Sequence, residues 1–262
     1  MSQIPKRIAA RLSASLKRFQ PILESAKARD INESDTVVIV ADILSEMFGY
    51  DKYNEITSEY AIRSTYCDLA VKLDSKIQYL VEVKAIGSNL KEQYVKQAVD
   101  YAANEGIDWV MLTNGIIWQV FLVSFTKPIT REKVIEFDLL SLNPKESADI
   151  RPLYLLTRGA IKKSALPLYH EQAQATNRFF LGAIILTDPI LNRIRRELRR
   201  LSPDVKIQIG EIKTTLKNEV LKREIVEDEK ALEASKKVRK AASKTLRKKK
   251  TKTVQASGFS NV

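Results

Sequence analysis

The chain has 262 residues, 44% of them hydrophobic, and a net charge of +12 at neutral pH. That length allows one large domain or one domain with an appendage, and the apolar content suffices for a buried core. One cysteine, Cys67, and one histidine, His170, exclude an internal disulfide and the usual structural zinc site. No apolar run is long enough to span a bilayer, and no signal peptide is legible. The expectation is therefore a cytoplasmic protein with no membrane partner. Ten Lys/Arg and no Asp/Glu lie from Lys236 onward, leaving only +2 for residues 1–235. The segment 236–262 is thus expected to be a basic tail, disordered or a frayed helix. It serves either as a non-specific contact to nucleic acid or an anionic surface, or as a solubilising end.

Residues 1–29 place Ile8, Leu12, Leu16 and Phe19 at helical spacing among Arg7, Arg11, Lys17 and Arg18. This predicts a basic amphipathic helix interrupted near Pro21. Asn32 or Ser34 starts the next helix, with acids in its first turn, and Gly49 stops it after Phe48. A strand near Glu55–Ile62 follows.

The stretch 66–85, YCDLAVKLDSKIQYLVEVKA, alternates apolar and polar residues on both sides of Asp74-Ser75-Lys76. It reads as a β-hairpin with a three-residue turn. If Leu73 pairs with Ile77, Asp68 lies across from Glu82, and Lys84 shares their face by the two-residue strand period. Directly opposed like charges repel, so two carboxylates at this separation need a neutralising partner. Lys84 alone satisfies them as a partly exposed ion-pair cluster; a hard divalent cation such as Mg²⁺ also satisfies them. Gly87-Ser88-Asn89 leads into a helix over Leu90–Asn104, stopped by Gly106, on which Gln97 and Tyr101 share a face with Tyr94. Residues 108–113 form a buried strand, Asn114-Gly115 a hairpin turn, and Ile116–Val123 the return strand. Another strand lies near Val134–Leu140.

From Pro144 the pattern becomes helical. Arg193, Arg195, Arg196, Arg199 and Arg200 cluster towards the end of one helix, where cations favour the dipole; facing DNA is their second reading. A short alternating piece, Val205–Ile209, precedes a helix from Glu211 to about Glu233. The boundaries expected are 1–29 for the basic N-terminal helix, 30–143 for the sheet-bearing domain, 144–235 for a helical region and 236–262 for the tail.

The residues Asp68 and Glu82-Val83-Lys84 resemble the PD-(D/E)xK nuclease superfamily, with Cys67 where that family often has proline. Gln97 and Tyr101 form a Q-x3-Y, and Leu112-Thr113-Asn114-Gly115 with Trp118 is similar to LTNG-x-x-W. Both point to the branch containing the N-terminal nuclease domain of type I restriction enzyme R subunits, over about residues 30–140. The sequence carries no G-x4-G-K-[ST] phosphate loop, so it lacks the ATP-driven translocase of those subunits. The resemblance implies an α/β restriction-endonuclease-like core, αβββαβ, a mixed sheet flanked by helices with a helical C-terminal extension. It implies Asp68 and Glu82 as ligands for Mg²⁺ or Mn²⁺ and Lys84 as the residue that orients or activates water. Gln97 and Tyr101 would position the substrate. Glu33, before the first strand, either adds a carboxylate to the site or serves only the helix dipole. The implied activity is hydrolysis of DNA phosphodiester bonds, alone, as a homodimer, or with a protein partner supplying a motor or specificity. A catalytically silent DNA-binding or interaction module and a structured-RNA nuclease are the alternatives on the same fold.

Overall fold

A computed structural model describes residues 4–62, 65–125 and 128–241. The chain forms two compact units, 1–170 and 171–262. In the first, α1 (Lys6–Ala28) and α2 (Glu33–Asp42) precede three strands, β1 (Ile56–Ile62), β2 (Thr65–Leu73) and β3 (Lys76–Val83). Helix α3 (Glu92–Glu105) crosses over to β4 (Trp109–Thr113), followed by β5 (Ile117–Ser124), β6 (Thr130–Asp138), α4 (Ser147–Leu155), α5 (Arg158–Lys162) and α6 (Ala165–Ala175). The six strands lie in sequence order, every pair antiparallel except β3–β4. A parallel neighbour requires a crossover, and α3 provides it. The expected mixed α/β architecture is therefore present.

The sheet is covered on both faces. Leu69, Val71, Tyr79, Val81, Val83 and Trp118 pack with residues of α1, α2 and α4. Ala70, Leu80, Val110, Leu112 and Phe121 pack with Val95, Ala98, Val99 and Ala102 of α3. Covered faces explain why β3 is buried on both sides at its C-terminal half. The N-terminal helix and residues up to Leu166 contribute to the same core as the sheet, so this unit extends on both sides of 30–143.

Helix α1 is not interrupted at Pro21; it runs unbroken through it. Proline inside a helix costs about 3 kcal/mol. Against this, Leu12, Leu16, Phe19 and Leu23 are buried to 3% exposure or less, each contributing about 1.5–3 kcal/mol. The docked stripe outweighs the lost hydrogen bond. Asn32 caps α2 by accepting a hydrogen bond from Asp35 N–H at 2.9 Å. A π-helical turn, Ile43–Met47, continues α2 before the chain leaves at Gly49. Gly49 has φ +82°, and a Cβ there would lie 2.5 Å from Arg11 Nη1.

The central hairpin has a two-residue turn, not three. Leu73 pairs with Lys76, and Asp74 and Ser75 both take positive φ, 52° and 63°, as the tight turns matched to strand twist require. Gln78 is then an extra residue, bulged between the Val71–Tyr79 and Lys72–Ile77 pairs. The bulge restores the expected register from Val71–Tyr79 to Leu69–Val81, so Asp68 still lies across from Glu82.

The turn after β4 explains the LTNG-x-x-W pattern. Gly115 takes φ +83°. Asn114 is buried, and its Oδ1 accepts from the N–H groups of Ile116 and Ile117. Its Nδ2 donates to the carbonyls of Ile86 and Ser88, at 3.3 and 2.9 Å, on the segment leaving β3. Trp118 Nε1 donates to Gly115 O at 3.0 Å, and its ring stacks on Phe137 and meets Phe48 edge-on.

The second unit holds α7 (Arg178–Ile185), α8 (Asp188–Leu201), α9 (Ile209–Thr215), a π-helical turn Leu216–Val220, α10 (Arg223–Glu227) and a helix over 229–241. The piece 205–209 forms no strand, and the single helix expected over 211–233 is broken at Leu221-Lys222 and Asp228. Its apolar stripe is too sparse to hold one rod: Val220 and Leu232 stay 63% and 55% exposed. Of the basic segment, 236–241 continues the last helix; the remainder lies outside the described residues.

Because Asn114 satisfies four backbone groups at once, Asn114→Ala should destabilise the fold by about 2–4 kcal/mol. A shift of the urea unfolding midpoint without a change in slope would be the readout.

Candidate active site

Three of the expected residues meet at the C-terminal end of β3. Lys84 N–H donates to Thr113 O at 2.8 Å, so the parallel ladder fixes the backbone here and Asn114 fixes the exit just beyond. Lys84 Nζ donates to Glu82 Oε1 at 2.9 Å and reaches Glu33 Oε1 at 3.4 Å. Its ammonium also lies 5.3 Å from the centre of the Tyr94 ring on α3, a favourable cation–π distance. Glu33, at the first turn of α2, is thus brought to the lysine. Tyr94 is the partner that spacing along α3 left without a role.

The centre of the cluster is buried, while Asp68 is half-buried and Glu33 stays exposed. Glu82 is 2% and Lys84 8% exposed, because α3 closes over this face of the sheet. Asp68 Oδ2 accepts from Val83 N–H at 2.7 Å, which ties the first carboxylate to the strand that bears the second. Glu82 Oε2 is buried and has no hydrogen-bond partner. A buried carboxylate oxygen left unpaired is costly, and it makes this atom the most demanding one in the site.

The charges respond accordingly. Burial, and after it the Asp68 charge, push Glu82 up to about 7. Burial likewise raises Asp68, only partly offset by the Val83 N–H. Lys84 is raised although burial opposes it, because Glu82, Glu33 and Asp68 all favour the ammonium.

Glu59 lies in β1 between the Ser58–Leu69 and Tyr60–Cys67 pairs, which puts it across from Asp68. Its φ of +49° is unusual for a non-glycine strand residue, and its charge adds to the upward pressure on Asp68. The sequence offered no signal for this strain. Cys67, beside Asp68, is fully buried, its Sγ near the carbonyl oxygens of Leu69 and Val81. Burial drives its thiol pKa strongly upward, so it is an inert packing group.

Gln97 and Tyr101 are placed differently. Gln97 Nε2 donates to Tyr101 Oη at 2.8 Å. With Gln93, Lys96, Asp100 and Asn104 they line an open polar hollow of about 460 Å³ along α3. They bond to each other one and two turns beyond Tyr94, and no hydrogen bond joins them to Lys84 or the carboxylates among the described residues. No cluster of three or more Asp, Glu, His or Cys side chains is arranged to hold a metal by itself, again among the described residues.

The Glu82 environment has a measurable consequence in metal-free protein. Its carboxyl binds a proton up to about 7 when folded but only to about 4.5 when unfolded. The folded state therefore holds more protons between these values, and stability must fall as pH rises through them. The loss should be on the order of 2–3 kcal/mol, complete above pH 7. Glu82→Gln should flatten this slope in urea titrations run from pH 4.5 to 8; a slope unchanged by the substitution would place the titration elsewhere.

Residues 38–134 match the family described as the type I restriction enzyme R protein N terminus. The match covers the second half of α2, β1, the central hairpin, α3, β4, β5 and part of β6, and begins after Glu33. No curated protein and no solved structure matches the chain. No helix among the described residues is long and apolar enough to cross a membrane. Asp68, Glu82, Lys84 and the Asn114-anchored turn all fall in this segment, and over residues 38–134 the chain is similar to the nuclease-like N-terminal domain of type I restriction enzyme R proteins.

Proposed function

We propose that the protein is a Mg²⁺- or Mn²⁺-dependent nuclease that hydrolyses DNA phosphodiester bonds in the cytoplasm. The observation that carries this reading is the unpaired, buried Glu82 Oε2 beside Asp68 and Lys84. The donor set fits a small hard cation: carboxylate oxygens from two adjacent strands, too few to enclose the ion, as suits Mg²⁺ with its remaining positions open to water and phosphate. Asp68 and Glu82 would hold it. When bound, the ion supplies a Lewis acid for the scissile phosphate and for the attacking water.

The chain's own residues do the rest. Lys84 acts as a charged donor rather than a base, since three carboxylates favour its protonated form. It is aimed by Glu82, Glu33 and the Tyr94 ring, and offers its charge to the phosphate oxygens in a site where water is scarce. Glu33 is a positioning residue that acts through Lys84. The Gln97–Tyr101 pair offers an amide and a hydroxyl to the substrate along the exposed flank of α3. A second copy of the chain, or a partner with a motor or specificity function, would bring the site to its target.

The test is nicking of supercoiled plasmid with Mg²⁺ or Mn²⁺, with and without EDTA. Glu82→Ala and Asp68→Ala should each lower cleavage at least about 100-fold. Glu33→Gln should lower it about 10- to 100-fold, as expected for an orienting residue. Full metal-dependent cleavage by Asp68→Ala would sink the assignment. A folded wild type that binds Mg²⁺ in calorimetry but cuts only structured RNA would move the substrate. One that neither binds the ion nor cuts would be a silent binding module.

A further inference from the structure

Helix α8 carries a feature that the site at β3 does not use. At about 100° per residue, Arg193, Arg195, Arg196, Arg199 and Arg200 fall on one side of the helix, and Leu191, Ile194, Leu198 and Leu201 on the other. Leu191 is fully buried, and the helix packs on α7 and α9 within its unit. Leu191 and the half-buried Ile194 thus face inward, Leu198 and Leu201 at the end of the helix stay exposed, and the arginine side faces outward. Arg193, Arg196, Arg199 and Arg200 are exposed, and Arg195 is half-buried.

These charges are poorly compensated. Five arginines elsewhere have an acid to themselves: Arg18 pairs with Glu46, Arg131 with Glu92, Arg158 with Glu55, Arg178 with Glu224 and Arg223 with Glu227; Arg11 and Arg29 donate to backbone carbonyls instead. On α8, Arg193 and Arg200 share Glu197, at 2.8 and 3.0 Å. Arg195 donates to the neutral Asn192, and Arg196 and Arg199 have no ion pair among the described residues. The helix dipole accounts only for Arg199 and Arg200, the two in the last turn. Arg195, Arg196, Arg199 and Arg200 are also neighbours at three- and four-residue spacing, where like charges repel. The face therefore lowers the stability of its own helix unless a polyanion meets it.

We infer that the outward arginine face of α8 is a binding surface for the phosphate backbone of duplex DNA, separate from the site at β3. Guanidinium groups match phosphate oxygens in fork geometry and are always charged. A row of them over two turns suits successive phosphates, and contacts of this kind carry no base information. The surface stands whether or not the site at β3 cuts.

The experiment uses the full chain carrying Glu82→Ala, in EDTA, so that cleavage cannot intervene. Binding of a short labelled duplex is followed by anisotropy as a function of salt. Adding Arg195→Gln, Arg196→Gln and Arg199→Gln should weaken binding about 10- to 100-fold at low salt and reduce the log–log salt slope by about 2 to 3. The double variant Arg196→Gln/Arg199→Gln spares the Arg195–Asn192 hydrogen bond and should reduce the slope by about 1 to 2; it serves if the triple variant melts early. Removing the same number of charges on and beside α9, at Lys206, Lys213 and Lys217, should change both quantities much less. Equal losses in the two triple variants, no loss in the α8 variants, or binding to anionic vesicles with none to DNA would each overturn the inference. Plasmid nicking by the unsubstituted chain is read separately: its failure together with intact DNA binding would count against the β3 site and not against this surface.

Discussion

The ammonium of Lys84 is held by two carboxylates and an aromatic ring at a place where almost no water reaches it. Its partners come from three separate elements: Glu82 from its own strand, Glu33 from the first turn of α2, and Tyr94 from α3. Removing one charge from such a buried group leaves the others uncompensated, which is far more costly than losing a surface pair. The site is therefore a constraint on the fold as well as a reactive centre. α2, β3 and α3 must dock together for Lys84 to be satisfied. The carboxylate oxygen that docking leaves unsatisfied, Glu82 Oε2, is the one a cation would take.

The remainder of the first unit holds this arrangement still. The β3–β4 ladder sets the backbone height of Lys84, and Asn114 ties the segment after β3 to the turn after β4. Trp118 anchors the same turn into the core between Phe48 and Phe137. A motif that looks chemical in the sequence thus turns out to be mechanical: it stiffens the platform on which the chemistry stands.

Much of this was legible beforehand, and the reasons for success and failure are specific. The pairing of Asp68 with Glu82 followed from strict alternation on both sides of the turn, since a slip of one residue would expose every apolar side chain. The turn is one residue shorter than alternation predicts and the bulge at Gln78 leaves no mark in the pattern, but the two cancel before the site is reached. Pro21 was overruled by burial on the opposite side of α1, a tertiary effect that local propensity does not carry. The depth of Glu82 and Lys84 was hidden because two polar residues in a strand read as a solvated edge until α3 is placed over them. Spacing alone marks Glu33 as a helix-start acid and only the family resemblance offers it to the site; its approach to Lys84 depends on how α2 docks. In the second unit the apolar positions between 205 and 233 are too sparse to fix where helices stop.

Cys67 gives the molecule a reporter of its own. It is the sole thiol of the chain, one residue from Asp68, and sealed between β2 and the α3 layer. A reagent can reach it only when the sheet parts from that layer, so its rate of alkylation measures how often this region opens. Occupation of the carboxylates by a cation would hold the neighbouring strands together and slow that rate. The thiol therefore converts events at the site into a chemical clock that needs neither substrate nor turnover.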